Sequence, residues 1–465
     1  MSVLIDGTAG IIVSGNTNTL SGVTVSRGGG SIATNTAVGA SALAATATGN
    51  RNTGVGSSSL SSVTSGAENT SVGFYGLLTN TTGGFNTAVG SQALSNNSTG
   101  SYNTAIGQTA LAFSSTASNN TAVGYQAILN NSVGASNTAI GVQSLYNNTT
   151  ASNNVAVGES ALRNNTTASN NTAVGYQAGY SYNGTAGHNT FIGRQAGYSS
   201  TSATGITAVG ANTLFTNTTG ISNVAVGGTN GVTLGAALEN NTTGSYNTAI
   251  GHAALISNTT ANSNTAVGYQ AGYSNTTGAG NQLFGRGAGY GITTGGANTA
   301  VGWLALENTT TASDNTAIGA FALQTNTTGA SNVALGRQAL TSNTTALQNT
   351  AVGTEAGFTN TTGASLTFSG FRSGYLNTTG TQNTAYGAYS LYSNTTGDYN
   401  TAIGFGALDT NTTGGYNVAV GKDALGSSTT ASNSVVIGVE AGLNITTGQQ
   451  NVMLGTGAGY TATTA

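Results

Sequence analysis

A glycine returns every seventeen residues through most of this chain, closing a phrase of the type "NTAVG" from Gly39 to Gly455. Of the 24 intervals between these glycines, 22 are 17 residues; the exceptions are 18 (Gly175 to Gly193) and 24 (Gly227 to Gly251). A fixed short period confines each unit to one piece of supersecondary structure stacked on its neighbours. The consensus is N-T-A-V-G-x-x-A-L-x-x-N-T-T-G-x-x, numbered here as positions 1 to 17. A unit of this length, rich in Gly and Asn, cannot hold a helical hairpin. It suits one coil of an all-β parallel β-solenoid with two short strands, at positions 1–5 and 8–11, and turn formers at 12–15. About 25 coils at ~4.8 Å each would form a rod on the order of 120 Å long.

Polar, low-complexity sequence is commonly disordered, but disorder goes with charge, proline and few β-formers. Here only 4% of the 465 residues are charged, there is no Pro, and Val, Ile, Leu, Tyr and Phe recur in register with the glycines. A net charge of −3 provides no basic stripe, so no nucleic-acid partner is expected. No run of 18 apolar residues argues for membrane insertion. With no Cys, disulfides and Cys-type metal sites are ruled out. Residues 1–34 stand apart as an attachment or capping segment, and 35–465 form the repeat shaft. The irregular intervals read as loop insertions near 181–189 and 228–236.

Positions 3 and 4 are both apolar in most units. Side chains on a strand alternate faces, so one of each pair points into the coil and the other out of it. The core read this way comprises Val89, Leu94, Ile106 and Leu111. Two covered faces argue for lateral association of chains. A second pattern lies on the first: in adjacent pairs of units, Gly replaces Leu at position 9, and in the later unit of each pair position 3 becomes large. This adds Phe191, Gly197, Leu283, Gly289, Phe368, Gly374, Met453 and Gly459 to the core. Where position 3 grows and position 9 shrinks, close packing predicts that the two share one space.

The phrases "NTAVGSQAL", "NTAIGQTAL" and "NVAVGKDAL" resemble the head repeats of YadA-like trimeric autotransporter adhesins, and similar repeats of phage tail-fibre-like proteins. The adhesin repeat is shorter, near fourteen residues, and the unit here lengthens the "NTTG" corner. The resemblance covers residues 32 to 465. It implies a left-handed parallel β-roll assembled as a parallel homotrimer. An autotransporter also carries a secretory leader and a membrane anchor. Neither is read at the ends of this sequence, which shifts the expectation towards a virion fibre.

Motifs for chemistry are sparse. "GRGAGYG" (285–291) lacks the Lys-Ser/Thr of a phosphate loop and reads as a repeat corner. His188 and His252 lie about four coils apart, too far to share a ligand. The acidic residues do not recur coil by coil, as calcium rolls require, and the pair Glu307 and Asp314 lacks any sign of a cleft. No enzyme activity, cofactor or metal is expected.

The Asn-Thr-Thr phrases, at Asn80, Asn148, Asn165, Asn217, Asn326 and Asn411 among others, have the form of glycosylation acceptors and are read as corner ladders of stacked amides. Aromatic residues at position 6, notably Tyr125, Tyr176, Tyr269 and Trp303, are candidate surface glycan contacts.

The expected function is a non-enzymatic structural fibre of a phage virion, a tail fibre before a head fibre. It would be self-associated as a homotrimer, joined to a virion attachment protein through its N-terminal segment, and able to touch a host glycan or protein. The alternatives are a bacterial surface adhesin or extracellular filament subunit and, from the Thr columns at positions 13 and 14, an ice-binding solenoid.

Overall fold

The computed structural model describes residues 4–6, 10–12, 17–20, 23–229 and 235–463. The described residues form an all-β parallel β-solenoid without helix, in which three-residue strands recur from Thr36–Val38 to Val452–Leu454. The chain divides into two compact units, Met1–Ser222 and Asn223–Ala465. In the first, the strands from Thr36–Val38 to Thr207–Val209 pair in parallel, each with the strand of the next coil. In the second, the same holds from Val224–Val226 to Val452–Leu454. The register sets each position against itself, as with Thr87, Ala88 and Val89 opposite Thr104, Ala105 and Ile106.

The N-terminal segment supplies a different kind of pairing. Thr17–Leu20 and Val23–Ser26 form an antiparallel pair, and the latter strand runs antiparallel to Thr36–Val38. The free edge of the first coil strand is thereby covered, a standard defence against edge-to-edge aggregation. Of the two insertions, 181–189 is described in full. The other, 228–236, includes residues 230–234, which lie outside the described residues.

Each coil holds one strand, at positions 2–4, and not the two expected. Positions 7 and 9, inside the anticipated second strand, take left-handed backbone conformations: φ is 58° at Gln92 and 52° at Leu94. This backbone cannot continue a pleat, yet it still bonds from coil to coil. The Leu94 N–H donates to the Ala110 carbonyl (3.0 Å), and the Asn96 N–H to that of Ala112 (2.9 Å). Left-handed Leu costs roughly 1–2 kcal/mol. Leu94 and Leu111 are fully buried, and burying a Leu side chain contributes about 1.5–3 kcal/mol, so the exchange is favourable.

The glycine at position 5 has a stricter cause. Gly90 lies at φ 134°, and a Cβ there would stand 2.6 Å from the Gly107 carbonyl oxygen of the next coil. Neither the torsion nor the spacing admits a side chain.

The core is narrow and built mainly of Ala at positions 3 and 8 and Leu at position 9. Ala88, Ala93, Leu94, Ala105 and Leu111 have no exposed surface. Val89 and Ile106, expected in this core, instead lie on the outward face, 37% and 41% exposed. The alternation along the strand points Ala inwards because two coil walls so close together leave room only for a methyl group.

The large residues at position 3 sit where that wall is relieved. Phe191, Leu283 and Phe368 are fully buried, each beside the glycines at position 9 of its own and the preceding coil. A Cβ on Gly179 would lie 2.7 Å from Phe191 Cδ2, one on Gly289 2.7 Å from Leu283 Cδ2, and one on Gly374 2.5 Å from Phe368 Cε2. Gly197 likewise faces Phe191, and Gly459 faces Met453. The last pair is a correction to the core set, since Met453 is only half-buried and Gly459 is exposed. Among the described residues their strand, Val452–Leu454, pairs only with Val435–Ile437.

Candidate functional site

Two columns of buried asparagine run through each unit. At position 1, Asn103 donates from Nδ2 to the Ala117 carbonyl (2.8 Å) and to Asn86 Oδ1 (3.2 Å), while its own Oδ1 accepts the Asn120 N–H (3.0 Å). At position 12, Asn97 donates from Nδ2 to Asn80 Oδ1 (2.9 Å) and to the Gly100 carbonyl (2.9 Å). That carbonyl also accepts from Asn86 Nδ2 (2.8 Å), so both columns close on the backbone of position 15. A buried amide is tolerated because its donors and acceptor are used.

The position 12 column was legible as a corner ladder. The one at position 1 was not, because Asn before a β-branched run reads only as a strand boundary.

The acceptor side of the position 12 ladder fails where the next coil lacks Asn. Asn97, Asn165, Asn275 and Asn411 each leave Oδ1 without a partner, and the next coils carry Ser114, Tyr182, Ile292 and Ser428 there. An unpaired buried acceptor costs about 1–3 kcal/mol. Ser114→Asn is therefore expected to stabilise the first unit by about 1 kcal/mol, read as a higher denaturant midpoint at unchanged slope. An unchanged or lower midpoint would count against the ladder account.

Tyr182 was missed by sequence reasoning, although an aromatic ring in an otherwise Asn or Ser column is a usable signal. It is fully buried beside Phe191, ring centroids 6.2 Å apart, and burial raises its phenol above the usual tyrosine range.

The ladders also settle the state of the Asn-Thr-Thr phrases. Asn80, Asn148, Asn165, Asn217, Asn326 and Asn411 have no exposed surface. Their amide nitrogens, the atoms a glycan would need, are committed within the coil. At position 13 the Thr hydroxyls donate to the next coil's carbonyl, as from Thr361 to Thr378 (3.0 Å) and from Thr378 to Thr395 (2.9 Å). Only position 14 keeps a column of exposed Thr, including Thr362, Thr379, Thr396 and Thr413. One file of hydroxyls is half of the two-column array from which the ice-binding expectation arose.

The outward faces carry the remaining candidates. At position 4 the exposed column contains Val72, Val89, Ile106, Ile140, Val174 and Ile192 in the first unit, and Ile250, Phe284, Ile318, Leu335, Ile403 and Ile437 in the second. At position 6, Tyr125 and Tyr176 in the first unit and Tyr269 and Trp303 in the second are 40–47% exposed.

Position 10 holds a further set of half-buried rings. Tyr198 stacks between Tyr180 and Phe215, with centroids 5.2 and 5.1 Å away, and Tyr375 stacks between Phe358 and Tyr392 at 5.1 Å each. Beside Tyr375, Arg372 Nε donates to Glu355 Oε2 (2.6 Å), which holds the guanidinium above its ordinary pKa.

The structure does not join the acidic or imidazole candidates into a reactive group. Glu307 Oε2 accepts from Gln324 Nε2 (2.7 Å), Asp314 is exposed at position 17, and His252 stacks on Tyr269. No group of three or more His, Asp or Glu suited to a metal occurs among the described residues, and no helix there is long and apolar enough to cross a membrane. No family model, curated protein or solved structure matches the chain.

Proposed function

We propose that this chain is a non-enzymatic structural fibre protein of a phage virion, working as a laterally associated homotrimer. The observation that carries the reading is the exposed apolar column at position 4. A solitary solenoid in water would present polar residues there, but this one presents Val, Ile, Leu or Phe in most coils, with Ser369 and Tyr386 as the exceptions. A recurrent apolar stripe of this kind marks an association surface. The in-register coils give every copy the same stripe at the same spacing, so parallel copies match coil for coil within each unit. Three-fold closure is drawn from the likeness to adhesin head repeats. The N-terminal segment, distinct in its antiparallel pairing, would face the particle.

Sedimentation equilibrium of the purified chain, with negative-stain imaging of phage particles labelled by an antibody to it, tests the proposal. The expected result is a mass of three chains and label on the particle. Ile106→Lys with Ile140→Lys is expected to shift the mass towards one chain, because each lysine places an unpaired charge in the seam. A parent that sediments as a single chain overturns the trimer. Label confined to bacterial surfaces overturns the virion assignment.

A further inference from the structure

A recess of about 360 Å³ opens on the second unit between Gln270, Arg286, Gly287, Tyr290, Leu304 and Glu307. At its floor the column at position 7 loses a side chain at Gly287, between Gln270 in one adjoining coil and Leu304 in the other, and Leu304 Cδ2 leans to 2.6 Å from where a Cβ on Gly287 would stand. Gly287 belongs to the phrase "GRGAGYG", which as sequence is only a repeat corner.

The rim has a definite chemistry. Arg286 is exposed and forms no ion pair among the described residues. Its guanidinium lies 5.8 Å from the centre of the Tyr269 ring and 6.0 Å from that of Trp303, which orients the donor fork without consuming its N–H groups. Opposite in charge, Glu307 has one oxygen held by Gln324 and keeps the other as an acceptor. Gln270 offers both a donor and an acceptor, and Tyr290 adds a half-buried ring bearing a hydroxyl.

We propose that this recess binds a neutral hexopyranose unit of a glycan. Adjacent hydroxyls of a pyranose need fixed donors and acceptors side by side, and its C–H faces need an aromatic wall. Arg286, Gln270 and Glu307 supply the first, and Tyr290, the ring that lines the recess, the second. Arginine and carboxylate together leave the rim without net charge, which favours a neutral sugar over an acidic one. A single sugar in an open recess binds with a Kd on the order of 1 mM, by the usual yield per ligand atom. Several copies acting together would raise this by avidity. The site lies within one copy of the second unit, so it goes beyond the fibre reading and does not depend on it.

Trp303 is the only tryptophan in the chain and lies 6.0 Å from the guanidinium of Arg286 on the rim, so its fluorescence reports on ligand contacts made by that arginine. The full chain is titrated with the methyl α-pyranosides of glucose, mannose and galactose, and separately with N-acetylneuraminate. The expected result is a saturable change with at least one neutral hexoside, weakened at least tenfold in Gly287→Gln, and no saturation with the acidic sugar. Position 7 holds glutamine at Gln270 and Gln338, where φ is 57° and 59° against 63° at Gly287, so the backbone accepts the variant; the new Cβ turns aside the end of Leu304, 2.6 Å away, and the two side chains together fill the recess. Circular dichroism confirms that the variant remains folded. The proposal is overturned if no neutral hexoside saturates, if Gly287→Gln binds as well as the parent, or if the acidic sugar binds more tightly.

Discussion

Phe368→Ala is expected to destabilise the coils around it by about 3–5 kcal/mol, even though Ala is the commonest residue at position 3. The ring is fully buried and occupies the volume that Leu fills from position 9 in ordinary coils. In this pair position 9 is Gly357 and Gly374, so removing the ring leaves a void that neither glycine can fill. The reverse change, Gly374→Leu, is expected to cost about 1–3 kcal/mol by overpacking.

Backbone strain is not what bars leucine at Gly374. Its φ is 59°, and Leu391 in the next coil adopts 52°. The obstacle is the Phe368 ring. The decisive measurement is therefore the triple variant Phe368→Ala, Gly357→Leu, Gly374→Leu, which rebuilds two consensus coils and is expected to recover most of the loss. Solenoid stability is local, so amide hydrogen exchange in the flanking coils is the suitable readout. Additive losses in the triple variant would show that the three positions do not share a space.

The second large effect is expected from a single atom exchange in a ladder. Asn103→Asp replaces the buried Nδ2 by an oxygen facing the Ala117 carbonyl and Asn86 Oδ1, both acceptors. An unpaired buried carboxylate costs on the order of 3–5 kcal/mol.

The same reasoning fixes the pH dependence. Burial and two facing oxygens raise the folded-state pKa of the new carboxyl above its unfolded value of about 3.9. Below that value both states are protonated, and the acid O–H restores one donor. As pH rises the unfolded state ionises first, so the penalty relative to the parent grows from about pH 4 and levels off above the folded pKa. Chemical unfolding of parent and variant at pH 3.5 and pH 7 checks this. A stability difference that is equal at the two values would refute the ladder geometry at Asn103.

Much of the architecture was readable from spacing alone. The seventeen-residue period, the obligatory glycine at position 5 and the reciprocal change at positions 3 and 9 are one-dimensional patterns, and Phe191 beside Gly179 shows the last of them in space. What could not be read was the backbone between positions 6 and 12. Gln92 and Leu94 occupy left-handed conformations that no propensity scale assigns to them, because bonds to the adjoining coils hold them there. The outward placement of Val89 and Ile106 depended on which face of the strand had room, which is a property of the coil walls. The recess at Gly287 joins residues from three coils at positions 6, 7 and 10, and only stacking brings them together.

The asparagine columns have a direction. In both, the later coil donates and the earlier coil accepts, as in Asn97 to Asn80 and Asn103 to Asn86. Aligned amides polarise one another, strengthening each bond by about 10–30%. A completed coil thus presents up to two amide oxygens, one from each column, already polarised for the segment that follows it. During synthesis the chain emerges N-terminus first, so each new stretch of seventeen residues can meet an ordered template, and the expected order of assembly is vectorial, running with translation rather than waiting for the whole polypeptide.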